Sequence, residues 1–179
     1  APPALSAAFS AATVTGGWNI ACSGSATGNI NTTISGGVLP IGVQWTGPNG
    51  FTASVADIHD LHAGAFTLAL TDANGCTLAA PITLTQAPAL SGSTVLGSTV
   101  SCNGGADGSA TAIVSGGTAP FTYSWNTTPV QVGPVATNLE AGTWACTITD
   151  ANGCITSASA TVSQPVSTLS VTIPTSENV

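Results

Sequence analysis

The chain has 179 residues with no lysine and no arginine, seven acidic residues and two histidines, giving a formal net charge of −7. With nothing to neutralise phosphate, nucleic acid is excluded as a partner, and so is attraction to an anionic membrane surface. No run approaches the ~20 apolar residues of a membrane helix, so helical membrane insertion is excluded as well.

Short runs of Thr, Val, Ile, Ser and Ala are broken by Gly and Pro every several residues, and no useful stretch has helical period. This is the pattern of an all-β protein built as a sandwich. In chain order, strands are expected over 5–14, 18–22, 28–34, 40–46, 51–58, 65–71 and 77–85. A second set is expected over 90–101, 108–115, 120–126, 130–137, 143–149 and 155–163. Ile30, Thr32 and Ile34 share one face, as do Ala110, Ala112 and Val114. Ile41, Val43 and Trp45 answer to Phe121, Tyr123 and Trp125. The two tryptophans are expected at the core centres, with Phe66, Trp144 and Cys146 on inward faces, since aromatics supply most of the buried area in small sandwiches.

The two sets are one pattern written twice. Thr-Asp-Ala-Asn-Gly-Cys occurs as Thr71 to Cys76 and as Thr149 to Cys154, each time after an alternating run. Asp72, Asn74 and Gly75, and likewise Asp150, Asn152 and Gly153, are turn chemistry, so each hexapeptide reads as a hairpin tip. Upstream, Cys22 matches Cys102, Ser35-Gly36-Gly37 matches Ser115-Gly116-Gly117, and Trp45 matches Trp125. Pro3-Ala4-Leu5-Ser6 returns as Pro88-Ala89-Leu90-Ser91, with a looser echo after Pro165. A tandem repeat follows. The expected organisation is one repeat over 1–86, a second over 87–164, and over 165–179 the start of a following repeat or a linking strand, so the chain reads as a slice of a longer array.

The second copy reads Cys102-Asn-Gly-Gly-Ala-Asp-Gly-Ser109, then Ser115-Gly-Gly-Thr-Ala-Pro-Phe-Thr-Tyr-Ser-Trp125, Leu139-Glu-Ala-Gly142 and the second hexapeptide, with a Gln164-Pro165 exit. It resembles the SprB repeat, found in tandem in very large surface adhesins of gliding bacteria and their relatives. The first copy is a looser match, with Cys22-Ser-Gly-Ser-Ala-Thr-Gly28 at its start. The resemblance implies immunoglobulin-like domains, export to the cell surface and a role in adhesion or fibre building. It supplies no catalytic residues.

Exported small domains with cysteines at repeated positions are expected to be oxidised. Because Cys22 and Cys76 bracket the first copy, and Cys102 and Cys154 the second, the expected bonds are Cys22–Cys76 and Cys102–Cys154. Each closes a loop worth roughly 4 kcal/mol in the chain-entropy model. The alternative is free thiols. Cys146 is expected to be a buried small hydrophobe, the alternatives being exchange with Cys102 or Cys154 or an intermolecular bond.

Asp57, His59, Asp60 and His62 have metal-ligand residue types, but the second copy has Val135, Thr137, Asn138 and Glu140 there. A solvated loop is expected rather than a metal site. Asp72 and Asp150, each with its Asn two residues on, can offer oxygens to calcium, but the full calcium-loop spacing is missing, so turn capping is the expected role and no cofactor is required. No nucleophile and base come together, so no enzyme is expected. The expected function is a disulfide-stapled rigid spacer in an extracellular bacterial adhesin or surface filament, partnered by neighbouring repeats or copies of itself. The alternative is a module that binds surface glycan or protein through loops at one sandwich end, with Trp18 as its exposed contact.

Overall fold

The structure, a computed structural model, describes residues 2–166. Of the opening or linking strand expected over 165–179, all but the first two residues lie outside them. In chain order the strands are β1 (Ser6–Ser10), β2 (Gly28–Ser35), β3 (Gly42–Thr46), β4 (Thr52–Ala53), β5 (Ile58–Leu61), β6 (Gly64–Thr71) and β7 (Thr77–Leu84), then β8 (Ser91–Ser98), β9 (Gly108–Ser115), β10 (Thr122–Trp125), β11 (Val135–Leu139), β12 (Gly142–Thr149) and β13 (Ile155–Val162). No α-helix occurs among the described residues; one 3-10 turn spans Pro48–Gly50.

The chain divides into two compact units. The first holds the residues up to Ser91 together with Ser115–Phe121 and Thr149–Ile155; the second holds Gly92–Val114, Thr122–Ile148 and the chain from Thr156 on. The Ser-Gly-Gly turn and hexapeptide of the second repeat therefore group with the first unit.

In the first unit, β1-β2-β5 form one sheet and β4-β3-β6-β7 the other. This is the immunoglobulin strand order, A-B-E against C′-C-F-G. Period-two alternation sends Ile30 and Ile58 inward from one sheet and Trp45, Leu68 and Leu70 from the other, into one buried cluster. Trp45 is fully buried, stacks at a tilt on Phe9 with ring centroids 5.6 Å apart, and donates its indole N–H to Ala56 O at 3.2 Å. The second repeat forms the sheets β11-β9-β8 and β10-β12-β13. Trp125 is buried there and donates to Gly133 O at 3.1 Å.

Thr32 Oγ1 is buried without a hydrogen-bond partner. The second repeat has Ala112 at this place. Replacing a buried unsatisfied hydroxyl by a methyl of the same shape removes a desolvation penalty. Thr32→Val is therefore expected to stabilise the chain by about 1 kcal/mol in urea denaturation followed by circular dichroism.

The repeated Pro-Ala-Leu-Ser and Ser-Gly-Gly segments prove to be partners. Gly37 N–H donates to Pro3 O at 2.9 Å, and Gly117 N–H to Pro88 O at 3.1 Å. Gly36 and Gly116 have φ of 73° and 68°, and a Cβ on either would collide with the carbonyl of Ala4 or Ala89. Only glycine lets the entering chain lie this close.

Three expected strands change. Residues 18–22 are loop, apart from a single parallel bridge from Ile20 to Gln86. Five more residues separate Ser6 from Cys22 than Ser91 from Cys102. The extra chain leaves the sheet after Ser10 and closes on itself through Val14 N–H to Trp18 O and Asn19 Nδ2–H to Ala12 O. Of the span 51–58 only β4 and Ile58 are strand, and β5 runs on to Leu61, so His59 and Asp60, expected in a solvated loop, sit exposed on a strand instead. The strand expected from 130 begins only at Val135, since Pro129 and Pro134 flank the preceding residues and cannot donate to a ladder.

Candidate functional site

Each hexapeptide is built around its aspartate. Asp72 Oδ1 accepts the N–H groups of Asn74 at 2.9 Å and Cys76 at 2.8 Å, while Oδ2 accepts Val38 N–H at 3.1 Å. Asp150 takes Asn152, Cys154 and Thr118 in the same way, each at 2.9 Å. Gly75 and Gly153, with φ of 81° and 82°, supply the left-handed residue of the turn. One carboxylate thus fixes the tip, ties it to the adjoining Ser-Gly-Gly turn, and holds the cysteine backbone.

These N–H groups, with Cys76 foremost, hold the Asp72 carboxyl below its ordinary value against the opposing effect of desolvation. The hydroxyl and N–H of Ser101 do the same for Asp107. A carboxyl depressed in the fold gives stability that is fully present above its unfolded value and lost as pH falls through the folded one. Stability is therefore expected to fall below about pH 4, and less steeply in Asp72→Asn, when urea midpoints are compared across pH.

The cysteine pairing differs from the one expected. Cys22 is bonded to Cys154 with a Cα–Cα distance of 5.6 Å, whereas Cys76 and Cys102 are exposed free thiols and Cys146 is buried and free. The Cys22–Cys76 and Cys102–Cys154 assignments are corrected accordingly. The reason lies in β2. The Cys22 loop precedes its first residue, Gly28, while the Cys76 tip is bonded to Val38 just past its last, Ser35. Eight extended residues span roughly 25 Å, and a disulfide needs Cα atoms within about 7 Å. The cysteines of one repeat therefore sit at opposite ends of their sandwich. Cys154, taken by Cys22, leaves Cys102 without it.

The Cys22 loop is held from behind by Gln86, whose Oε1 accepts Gly24 N–H at 2.9 Å and whose Nε2 donates to Ser23 Oγ at 3.2 Å. Ser25 N–H and Oγ–H both donate to Cys22 O. On the other side, Asn152 Nδ2 donates to Thr118 Oγ1 at 3.1 Å and to Thr15 O, in the extra loop, at 3.2 Å. Cys154 Sγ lies 3.3 Å from Ala21 O. All of these residues fall in the first unit. The roles of Gln86, Thr15 and Thr118 were not foreseen. Gln86 closes the first copy as Gln164 closes the second, and this repetition is the signal that the sequence offers for it.

Trp144, expected in the core, is only half-buried and donates its indole N–H to Glu140 O at 3.0 Å. Its counterpart Phe66 is covered edge-on by Phe51 at 5.5 Å, and the loop between Trp125 and Leu139 carries no aromatic to do the same. Trp144 instead lines a groove with Asn126, Thr127 and Gln131. Phe66 and Cys146 are buried, and burial pushes the Cys146 thiol up. Trp18 is half-buried over Gly16. Asp57 accepts Thr32 N–H, while His59 and Asp60, both more than four-fifths exposed, pair at 2.7 Å. Among the described residues no three His, Cys, Asp or Glu side chains cluster to hold a metal.

The fold and its loop-to-tip disulfide define a class: disulfide-bonded, all-β, immunoglobulin-like tandem repeats. Within it, residues 98–129 match the family model of the SprB repeat. That stretch includes the free Cys102, the Ser-Gly-Gly turn and the buried Trp125. Among solved structures, the chain is similar to the three N-terminal domains of the highly immunogenic outer capsid protein Hoc of bacteriophage RB49, at 14% identity and TM-score 0.48, over 89% of this chain and 59% of that one. It is also similar to the N-terminal eight Ig domains of Down syndrome cell adhesion molecule, DSCAM, isoform 1.30.30, at 17% identity and TM-score 0.32, over 80% of this chain and 24% of that one. The chain thus spans less than two thirds of either. No curated protein sequence matches it.

Proposed function

We propose that this chain is a non-catalytic, load-bearing segment of an extracellular bacterial surface adhesin or filament. The observation that carries the reading is the Cys22–Cys154 bond, which ties the loop of one repeat to the hairpin tip of the next in a chain containing a SprB repeat. Such bonds persist in oxidising compartments. Without lysine or arginine, the protein has no charge network to stiffen it, so a covalent staple carries more of that task. Its partners are neighbouring repeats or further copies of itself. No helix among the described residues is long and apolar enough to cross a membrane. Antibody against the folded chain is expected to label projecting material on intact, unpermeabilised producing cells in electron microscopy. Labelling only after lysis would refute the reading.

One observation favours a second reading, binding of a glycan: the half-exposed Trp144 in its polar groove. The lining weakens it, because Asn126 Oδ1 accepts Ala145 N–H, Thr127 Oγ1 accepts Gln131 N–H, and Gln131 spends both ends of its amide on Thr137. Glycan-array binding lost in Trp144→Ala would restore it.

A further inference from the structure

The bonded half-sites around Cys22 and Cys154 each have a second copy in the chain, and both second copies end in an exposed free thiol. The Cys102 loop repeats the Cys22 loop. Gly104 N–H donates to Gln164 Oε1 at 2.9 Å as Gly24 does to Gln86, and Gly105 N–H donates to Cys102 O at 2.9 Å as Ser25 does to Cys22 O. Gly24 and Gly104 share a left-handed φ of 80° and 76°. The Cys76 tip repeats the Cys154 tip, with the same three N–H groups on its aspartate.

The surface beside each tip is repeated too. Around the bond, Ala89, Leu90, Cys154 and Ile155 line a groove together with Cys22 and Ser23. At the free tip the equivalent residues Ala4, Leu5, Cys76 and Thr77 are among those lining a groove of about 390 Å3. In the bonded groove, the place beside the tip is taken by a Cys-Ser-Gly loop. The loop of matching conformation with a free thiol is Cys102-Asn103-Gly104.

We infer that Cys76 of one copy forms a disulfide with Cys102 of a second copy, repeating the Cys22–Cys154 joint and linking chains head to tail. A disulfide of the small-molecule thiol class is the oxidant. The Cys76 thiolate attacks one of its sulfurs and expels a thiolate. The Cys102 thiolate then attacks the Cys76 sulfur of the mixed disulfide and expels the second. Two protein thiols lose two protons and two electrons, and one oxidant becomes two thiols. Where each copy gives its two thiols to two different neighbours, the contact is heterologous and propagates; a parent that stops at a closed dimer would contradict the head-to-tail linkage. The second repeat lacks the extra loop that offers Thr15 O to Asn152, so the new joint has no equivalent grip on Asn74. It therefore depends on the covalent bond, and copies stay monomeric under reducing conditions.

The test mixes two variants of the full chain, Cys76→Ser and Cys102→Ser, each confirmed folded by circular dichroism, under oxidised glutathione. Non-reducing electrophoresis should show a dimer in the mixture and none in either variant alone, while the parent forms a ladder that dithiothreitol removes. Mass mapping after thermolysin digestion, which cuts before Leu78, Leu84, Leu90 and Leu96 between the two cysteines, should find the Cys76 peptide joined to the Cys102 peptide. Dimers from either variant alone, thiols that end only as glutathione adducts in the mixture, or a parent that joins Cys76 to Cys102 within one monomer would each overturn the inference. The inference takes from the proposed function only an oxidising location, and this experiment supplies its own oxidant, so its failure leaves the surface-labelling result untouched.

Discussion

Breaking the Cys22–Cys154 bond is expected to lengthen the chain greatly under load. The bond joins positions 132 residues apart. While it is intact, tension applied at the two ends passes from Cys22 directly to Cys154 and bypasses most of both repeats. At about 3.4 Å per extended residue, the bypassed chain amounts to roughly 450 Å of contour length. Single-molecule stretching of the oxidised protein should therefore stop about 450 Å short of the same protein in dithiothreitol, or of Cys154→Ser. Equal contour lengths would show that the bond does not form. In bulk the same variant is expected to lose about 5 kcal/mol of stability, from the loop-closure entropy restored to the unfolded chain. Comparison of urea denaturation with and without reductant measures it.

The second large effect is in the cores. Trp45 and Trp125 are among the largest fully buried side chains, and each indole N–H is satisfied by a backbone carbonyl. Trp45→Ala leaves a cavity facing Phe9 and orphans Ala56 O. Each truncation is expected to cost about 3–5 kcal/mol, by the transfer term plus the cavity term. Trp144→Ala provides the contrast. A half-exposed ring over a polar groove has little cavity to leave, and about 1 kcal/mol or less is expected. Urea melts of the three variants, run in parallel, check the ranking; a Trp144 effect as large as that of Trp45 would contradict the burial.

The all-β fold was legible because period-two alternation and glycine punctuation are local signals. Ile30 and Ile34 announce which face of β2 points inward without reference to any other strand. The hexapeptide turn was legible for the same reason, since Asp72 Oδ1 reaches only two and four residues along its own chain; the bond of Oδ2 to the distant Val38 N–H was not. The cysteine pairing was not. Repeat alignment shows that Cys22 and Cys102 are equivalent positions, and Cys76 and Cys154 another equivalent pair. It does not show that β2 carries the chain from one end of a sandwich to the other between Cys22 and Cys76. That distance depends on strand length and topology. The extra loop before Cys22 was hidden because Trp18 and Ile20 look like alternating strand residues, and only the closure from Val14 to Trp18 reveals a loop. Trp144 misled because its partner in the other repeat owes its burial to Phe51, a residue distant in sequence.

The Cys22–Cys154 bond also makes the chain between them a covalent ring with two tails. A single break in the backbone anywhere inside that ring opens it but severs nothing: both pieces remain parts of one molecule, still joined through sulfur. Severing the line from one tail to the other takes a cut before Cys22 or after Cys154, or the loss of the bond itself. For material exposed to proteases outside a cell, most single nicks would then be survivable.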